Sequence, residues 1–498
     1  MKNWFNAFPR IARRSFLRLA GATALTQIPL VRAEEGRTAG AAEIWTSAFA
    51  GTKVWGYVNK HSGMPGEPFD LMLSTAPSGE ATEGRIEFFR IGHHPPEGQK
   101  LIWTSQQVAV TQQPVSRTAA AIGAAWLPAL GEIPTANWPP GYYSADFIHA
   151  KTGVRELQVA QIVVLNPDRS NRVLLKLSTN TYQAYNVWGG HSLYPSEDES
   201  RRGTIVSFDR PTPPSFFEYE VYLARFLEEL GAKHGFGVDY ATDFDVHNDG
   251  AILSGYPLVI AGSHDEYWSK ETFDAFENRI YRLGRNVIFP GANTAYCQVR
   301  FADVDRPPDG ADLGRQLVCY KRLSDPIARR KTATDPRLMP ATYFREEARR
   351  PESMLMGVAY QSWFPPTEKG PRYTYYVAST DAPFFTGLDY KVGDAAADVV
   401  GYEWDNRDPD GDGQRLWDRE RSHIASLPQE SIKVLFQGSP TDADGKPGRA
   451  EAVYFRSPAG AKVFTAGSIR WAWGLGKSGF EREGFKRFNE NLILDFLK

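Results

Sequence analysis

Hydrophobic positions along the chain follow two different rhythms. Between Ile44 and Asn166 they come in short alternating runs, VWGYVNK, FDLMLSTA, RIEFFRIG, KLIWTS, YYSADFIHA and AQIVVLN, separated by turns rich in Gly and Pro. Successive side chains of a strand face opposite ways, so this pattern predicts a sandwich of antiparallel strands. Trp138-Pro139-Pro140-Gly141-Tyr142-Tyr143, ahead of one of these runs, predicts a tight corner plugged by aromatic rings. Beyond Asn166-Pro167-Asp168, read as a linker, the period changes. VLLKL (Val173–Leu177), VDYAT, LVIA (Leu258–Ala261) and NVIF are brief, β-rich and bounded by turn residues, as buried parallel strands are. Between them, FFEYEVYLARFLEELG aligns Phe217, Val221, Ala224 and Leu227 on one helical stripe, with a capping box from Ser215 and Glu218 and a stop at Gly231. A second helix is capped by Ser269, turns Phe273, Phe276, Ile280 and Leu283 inward, and stops at Gly284. Strands alternating with helices predict a doubly wound α/β domain on a parallel sheet. After Ala302 the signal thins into loops, with strands again at KVLFQ, AEAVYFR and AKVFTAG and a closing amphipathic helix, FKRFNENLILDFLK. The expected organisation is therefore a leader over residues 1–33, a β-sandwich over 44–166, and an α/β domain with a β-rich C-terminal extension over 171–498.

Composition narrows the partners. The 498 residues are 42% hydrophobic and 13% aromatic, enough for a large core in two or three domains. After the N-terminus no apolar run reaches the roughly 20 residues that a membrane span needs. The formal charge is -2 and becomes more negative once the basic first 33 residues are removed, which argues against a nucleic-acid partner. Those residues hold Arg13-Arg14-Ser15-Phe16-Leu17-Arg18, an apolar region from Leu19 to Leu30, and a small-residue site at Val31-Arg32-Ala33. This is the order of a twin-arginine export signal, and it predicts a periplasmic protein that crosses the membrane already folded. Two cysteines, Cys297 and Cys319, leave a bridge open without requiring one.

Two polar stretches stand where parallel strands end: STNTYQAYNVWGGHSLY (Ser178–Tyr194) after VLLKL, and the segment from Ala261 to Ser269 after LVIA. Ligand crevices of open α/β sheets form at that edge. Tyr182, Tyr185, Tyr194, His191, His264, Asp265 and Glu266 are thus expected along one rim. Phenols beside a carboxylate suit a hard trivalent ion such as Fe(III) better than zinc, which prefers His and Cys. The bland alternative is that the tyrosines only pack.

TYQAYNVWGG, HSLY, the AT-D-x-D-x-H segment (Ala241–His247), GSHDEYWS, GANTAY (Gly291–Tyr296) and GYEWDN (Gly401–Asn406), in this order, resemble the catalytic domain of the large subunit of N,N-dimethylformamidase and its relatives. The resemblance runs from about Arg172 to the C-terminus. It implies an amidohydrolase with a glutamine-amidotransferase-like α/β fold that acts on a small N-substituted amide. It also implies a mononuclear iron, Fe(III), on Tyr185, Tyr194 and Glu266, with His264 and Asn293 lining the pocket and Glu403 near the substrate. Under that reading Glu403 or His264 takes a proton from the attacking water, and Asn293 steadies the oxyanion. Tyr194 is followed here by Pro195-Ser196-Glu197-Asp198, where the family carries an Asp and a Gly-rich turn, so the resemblance does not name the substrate.

Other constellations compete. Asp243, Asp245 and His247 are read as turn-capping residues before metal ligands. Asp408-Pro409-Asp410-Gly411-Asp412-Gly413 matches the first half of a calcium loop, but Arg419 stands where its bidentate Glu belongs. AYCQV lacks the glycines of a nucleophile elbow, which speaks against Cys297 as a thiol nucleophile. A zinc hydrolase would use His264 and His191. A reading from a different class is a non-catalytic envelope protein that binds a glycan or a protein partner. The sequence leaves room for a homo-oligomer.

Overall fold

The computed structural model describes residues 52–77, 79–194, 203–212, 218–302, 314–321, 325, 341–345, 348, 350–365, 370–410 and 431–498. The leader, Pro195–Asp198, Ser215, Phe217, the second half of the calcium-like loop and Arg419 lie outside them.

The front region is a sandwich of two sheets. In the smaller sheet Phe69–Thr75 pairs antiparallel with Val54–Val58 on one side and Pro128–Ile133 on the other. In the larger, Thr82–Ile91 pairs with Gln99–Thr104, Val108–Val110 and Gly141–His149, and Arg155–Val164 lies beyond the last. One short parallel pairing, Ser62–Gly63 with Val163–Val164, departs from the antiparallel rule. Inward residues of both sheets, among them Leu71, Phe88, Tyr143 and Phe147, form one buried cluster. Trp138 plugs the predicted corner, 4.9 Å from the Tyr143 ring and 5.0 Å from that of Phe88. The strands Val108–Val110 and Pro128–Ile133 and the turn of helix Ala119–Ile122 carry no alternation that would have revealed them.

Behind the sandwich runs a nine-stranded sheet. Val173–Lys176 pairs in parallel with Val238–Ala241 on one side and Leu258–Ile260 on the other. Asn286–Phe289 and Lys462–Thr465 continue the parallel part. Ala450–Arg456, Lys433–Gly438, Tyr373–Val377 and Ala395–Val400 complete the sheet in antiparallel fashion. The β-rich C-terminal strands thus extend the α/β sheet. Both faces are covered: Leu174, Val259 and Val287 pack with Phe273, Phe276 and Ile280 of helix Lys270–Tyr281, whereas Val173 and Leu175 share a core with helices Glu218–His234 and Glu483–Phe496. This is the doubly wound arrangement.

Two helix ends differ from expectation. The first helix passes Gly231 and ends at His234, before Gly235 at φ +74°. A Cβ on Gly231 would lie 2.5 Å from the Phe236 carbonyl, so this glycine serves close approach. The second helix ends at Tyr281, which leaves Leu283 off the apolar stripe and 44% exposed.

From Val173–Lys176 the chain moves first to the neighbour on one side, then crosses to the neighbour on the other. The loops leaving the carboxyl ends of adjacent strands therefore diverge at Ser178 and Ala261, which is where a doubly wound sheet opens a crevice. Two small sheets close over it. One joins Ile205–Ser207, Gln316–Val318, Cys297–Ala302 and Tyr267–Ser269, and the other pairs Ala359–Trp363 with Glu403–Asn406.

Candidate active site

Glu266 sits at the centre of this crevice, 1% exposed. Its amide donates to Thr181 Oγ1 (3.0 Å), and its carbonyl accepts from the Cys297 amide (2.9 Å). Helix Thr179–Tyr185 leaves the carboxyl end of Val173–Lys176 and is fixed by Asn180, whose amide donates to Asp243 (2.8 Å) and whose side chain donates to the Tyr267 carbonyl (3.0 Å). Tyr185, on its last turn, therefore reaches the Glu266 carboxylate. Tyr194 follows after a loop held by Arg210, a wholly buried guanidinium that donates to the carbonyls of Gln183, Trp188, His191 and Ser207. Burial without a carboxylate partner lowers Arg210 to about 9.

Three oxygens meet at one point. Tyr185 OH is 2.6 Å from Glu266 Oε2 and 2.7 Å from Tyr194 OH, and Tyr194 OH is 3.1 and 3.2 Å from the two carboxylate oxygens. The tyrosine rings stack at 4.2 Å. Adjacent ligands of a six-coordinate ion with bonds of about 2.0–2.1 Å are about 2.9 Å apart, so this triangle has the size of one coordination face. Two phenols and a carboxylate are also the oxygen donors a hard ion prefers. Burial first, then the Glu266 charge, push both phenols well above their ordinary range, and both hydroxyls donate to the Glu266 carboxylate. A bound cation would invert that preference and hold them as phenolates.

Beside the triangle lies a second group. His264, 1% exposed, has its Nε2 3.5 Å from Glu403 Oε2, too long for a well-formed hydrogen bond, and neither ring nitrogen has a hydrogen-bond partner. Asn293 Nδ2 donates to the same Glu403 oxygen (3.2 Å), and its Oδ1 is buried and unpaired. Asn293 takes the left-handed φ of +54°, held by its amide donating to Asp405 Oδ1 (2.8 Å). Burial raises Glu403 above the ordinary carboxylate range, opposed by His264 and reinforced by the Glu266 charge. Three tyrosine rings surround His264, with centroids at 5.2 Å (Tyr185), 5.3 Å (Tyr219) and 5.9 Å (Tyr402).

Residues 85–484 match the family described as N,N-dimethylformamidase beta subunit-like, C-terminal. The chain belongs to this family. The match of this N,N-dimethylformamidase beta subunit-like chain begins at Arg85, inside the front sandwich, well before the Arg172 at which the motif resemblance starts. No curated protein matches the sequence.

In this family member the structure brings together Tyr185, Tyr194, Glu266, His264, Asn293 and Glu403, and it separates the rest of the expected rim. Tyr182 lies beside Glu220 instead. Asp265 is buried beneath the site, 2.7 Å from Lys176 Nζ, in a triad with Asp243. His191 directs Nε2 to the Ile205 carbonyl (3.1 Å), and among the described residues no group of three His, Cys, Asp or Glu side chains converges as a metal site, so the zinc alternative has no such cluster. Asp245 closes a capping box with Thr242, and His247 binds Ser269 Oγ (3.0 Å), which makes these cap and packing residues. Both cysteines are free and buried.

Sequence reasoning missed several neighbours. Cys297 directs its thiol at Glu266 Oε1 (3.4 Å), and Lys321 Nζ lies 3.4 Å from the centroid of the Tyr194 ring. The sequence offers Cys297 as a bridge partner or a nucleophile, and neither role points to Glu266. Lys321 falls in the loop-rich stretch where the pattern carries no signal.

Proposed function

We propose that this chain is an exported, iron-dependent amidohydrolase that cleaves the C–N bond of a small amide. Its family supports hydrolysis in general, and the convergence of two phenols and Glu266 on one point carries the finer reading. Fe(III) held by Tyr185, Tyr194 and Glu266 would supply Lewis acidity toward an amide carbonyl. The remaining work falls to the chain's own side chains. Glu403, raised by burial, takes a proton from the attacking water, and His264 beside it is placed to exchange that proton. Asn293 holds Glu403 through Nδ2 and restricts its rotation. Water adds to the carbonyl carbon, the C–N bond breaks, and the nitrogen leaves with a proton returned from the Glu403–His264 pair. Near-complete burial of His264, Glu266 and Asn293 excludes bulk water.

The twin-arginine-like leader supports export in the folded state, and hence metal insertion before translocation. Elemental analysis and a visible spectrum of protein from iron-replete cells test the reading. One iron per chain and a phenolate-to-iron charge-transfer band, both diminished in Tyr194→Phe, are expected. Folded protein that takes up no metal under these conditions would overturn it.

A further inference from the structure

Behind the aromatic ring around His264 stands a second set of buried donors. The Trp473 ring stacks on Tyr219 at 6.3 Å, and Arg470, 3% exposed, holds its guanidinium carbon 5.0 Å from the Trp473 ring and 5.1 Å from that of Phe364. Neither Arg470 Nε nor Trp473 Nε1 has a hydrogen-bond partner. Among the described residues the guanidinium makes one long hydrogen bond, to the Pro371 carbonyl at 3.3 Å, and no ion pair.

Two other buried arginines show how this chain satisfies such a group when its role is structural. Arg210 is enclosed by four backbone carbonyls and the Gln183 side chain. Arg279 donates to the carbonyls of Leu253, Tyr256, Pro257 and Asn286. Arg470 lacks such a shell, although a guanidinium has five donors to satisfy and unpaired buried donors are rare. Burial is the main influence lowering it, opposed by the Tyr219 and Tyr402 phenols, and the charge of Arg372 adds to the lowering. Arg372 lies over the Phe480 ring at 4.1 Å, and Phe480 packs on Trp473 at 5.0 Å. Lys477 lies 3.3 Å from the Trp473 centroid and is already paired with Glu218. Apart from the Tyr219 and Tyr402 phenols, the described surroundings offer Arg470 cations and no carboxylate.

We infer that Arg470 and the indole N–H of Trp473 form a docking point for a carboxylate on the substrate, so that the amide cleaved here carries an acid group, as an N-acyl amino acid does. A planar carboxylate has two oxygens to accept from the guanidinium and the indole, and one negative charge to match one unpaired cation. The Tyr219 ring lies between His264 and Trp473, with separations of 5.3 and 6.3 Å, so an acid held at Trp473 would stand several bonds from an amide at His264. The inference rests on the amidohydrolase reading for the reaction, but the anion site is read from its own residues.

Iron-loaded full-length protein is assayed by amine release with N-acetylated ω-amino acids of two to four carbons, each against an N-alkylacetamide of matched length. The best acid should be favoured about 10- to 100-fold in kcat/KM, mainly through KM. That ratio should collapse toward one in Arg470→Met and be partly kept in Arg470→Lys. Trp473→Phe, which removes the indole N–H and keeps an aromatic ring, should lower the ratio several-fold and serves if Arg470→Met does not fold. A ratio near one in the wild type, or an unchanged ratio in folded Arg470 or Trp473 variants, would overturn the inference and leave the hydrolase reading standing. If neither class of amide is cleaved, metal uptake decides the hydrolase reading separately, and calorimetric titration with the same N-acetyl acids decides the anion site. Binding that is lost with Arg470→Met supports it, and absence of binding overturns it.

Discussion

Replacing Glu403 with Gln keeps the side-chain volume and the contact with Asn293 but removes the group that takes the proton. Turnover should fall at least about 100-fold with metal content unchanged, read by amine release beside elemental analysis. Activity retained in that variant would pass the proton to His264. Asp405, two residues on along the same strand, is wholly buried and raised to about 8, chiefly by desolvation. Its carboxyl ionises near 4 in the unfolded chain, so between about pH 4 and 8 the folded protein holds one proton more than the unfolded. Stability contributed by Asp405 therefore falls as pH rises through that window, by about 1.4 kcal/mol per pH unit. Asp405→Asn keeps an acceptor for the Asn293 amide and removes the slope, so the thermal midpoint should gain more at pH 8 than at pH 5. The reverse order would mean that Asp405 is ionised in the folded state.

Arg210 ties Gln183 at the end of its helix to the loop carbonyls of Trp188 and His191 and to Ser207. Arg210→Met should loosen the spacing between Tyr185 and Tyr194, seen as a several-fold loss of iron affinity and a weaker charge-transfer band while the far-ultraviolet circular dichroism is kept. Helix Lys270–Tyr281 offers a simpler test: Ser269 Oγ accepts from the Thr272 amide (3.1 Å), and Ser269→Ala should cost about 1 kcal/mol in denaturant titration. Ser269 was legible in the sequence because a capping residue precedes an apolar stripe of period 3.6, and LVIA and NVIF were legible because buried parallel strands are brief and wholly apolar. Gly231 misled, since a glycine chosen for close approach looks the same in sequence as one that ends a helix. The capping reading of the Asp243–His247 run holds at Asp245, which closes a box with Thr242. The site was legible only in part. Tyr185, Tyr194 and Glu266 have no periodicity to mark them, and resemblance to the family's motif order, not spacing, singles them out. Arg470 acquires its meaning from Tyr219 and Trp473, and Tyr219 lies some 250 positions away in the chain.

Sandwich and α/β regions share one core. Ile91, Tyr142 and Val163 of the front sheets lie in the cluster that holds Val173, Leu227 and Tyr240 of the α/β region. Arg90 pairs with Glu228 at 2.8 Å, with both side chains largely buried, and Arg225 donates to the Gly98 carbonyl (3.1 Å). Heat should therefore unfold both regions in one calorimetric transition, and Arg90→Met should lower its midpoint, at a cost of about 3 kcal/mol for the stranded Glu228 charge. Two separated transitions would show the regions to be independent. A family match that starts at Arg85 agrees with the shared core, since it does not respect a boundary at the linker. The sheet carries a further consequence. Lys462–Thr465 is inserted between Asn286–Phe289 and Ala450–Arg456, in the middle of nine strands. On the ribosome, the part of the chain bearing Tyr185, Tyr194 and Glu266 is made long before the strand that joins its sheet to the antiparallel part. The three side chains proposed to hold iron wait on an unsealed sheet edge until synthesis is almost finished, so metal capture under that proposal belongs to the finished chain and not to the nascent one.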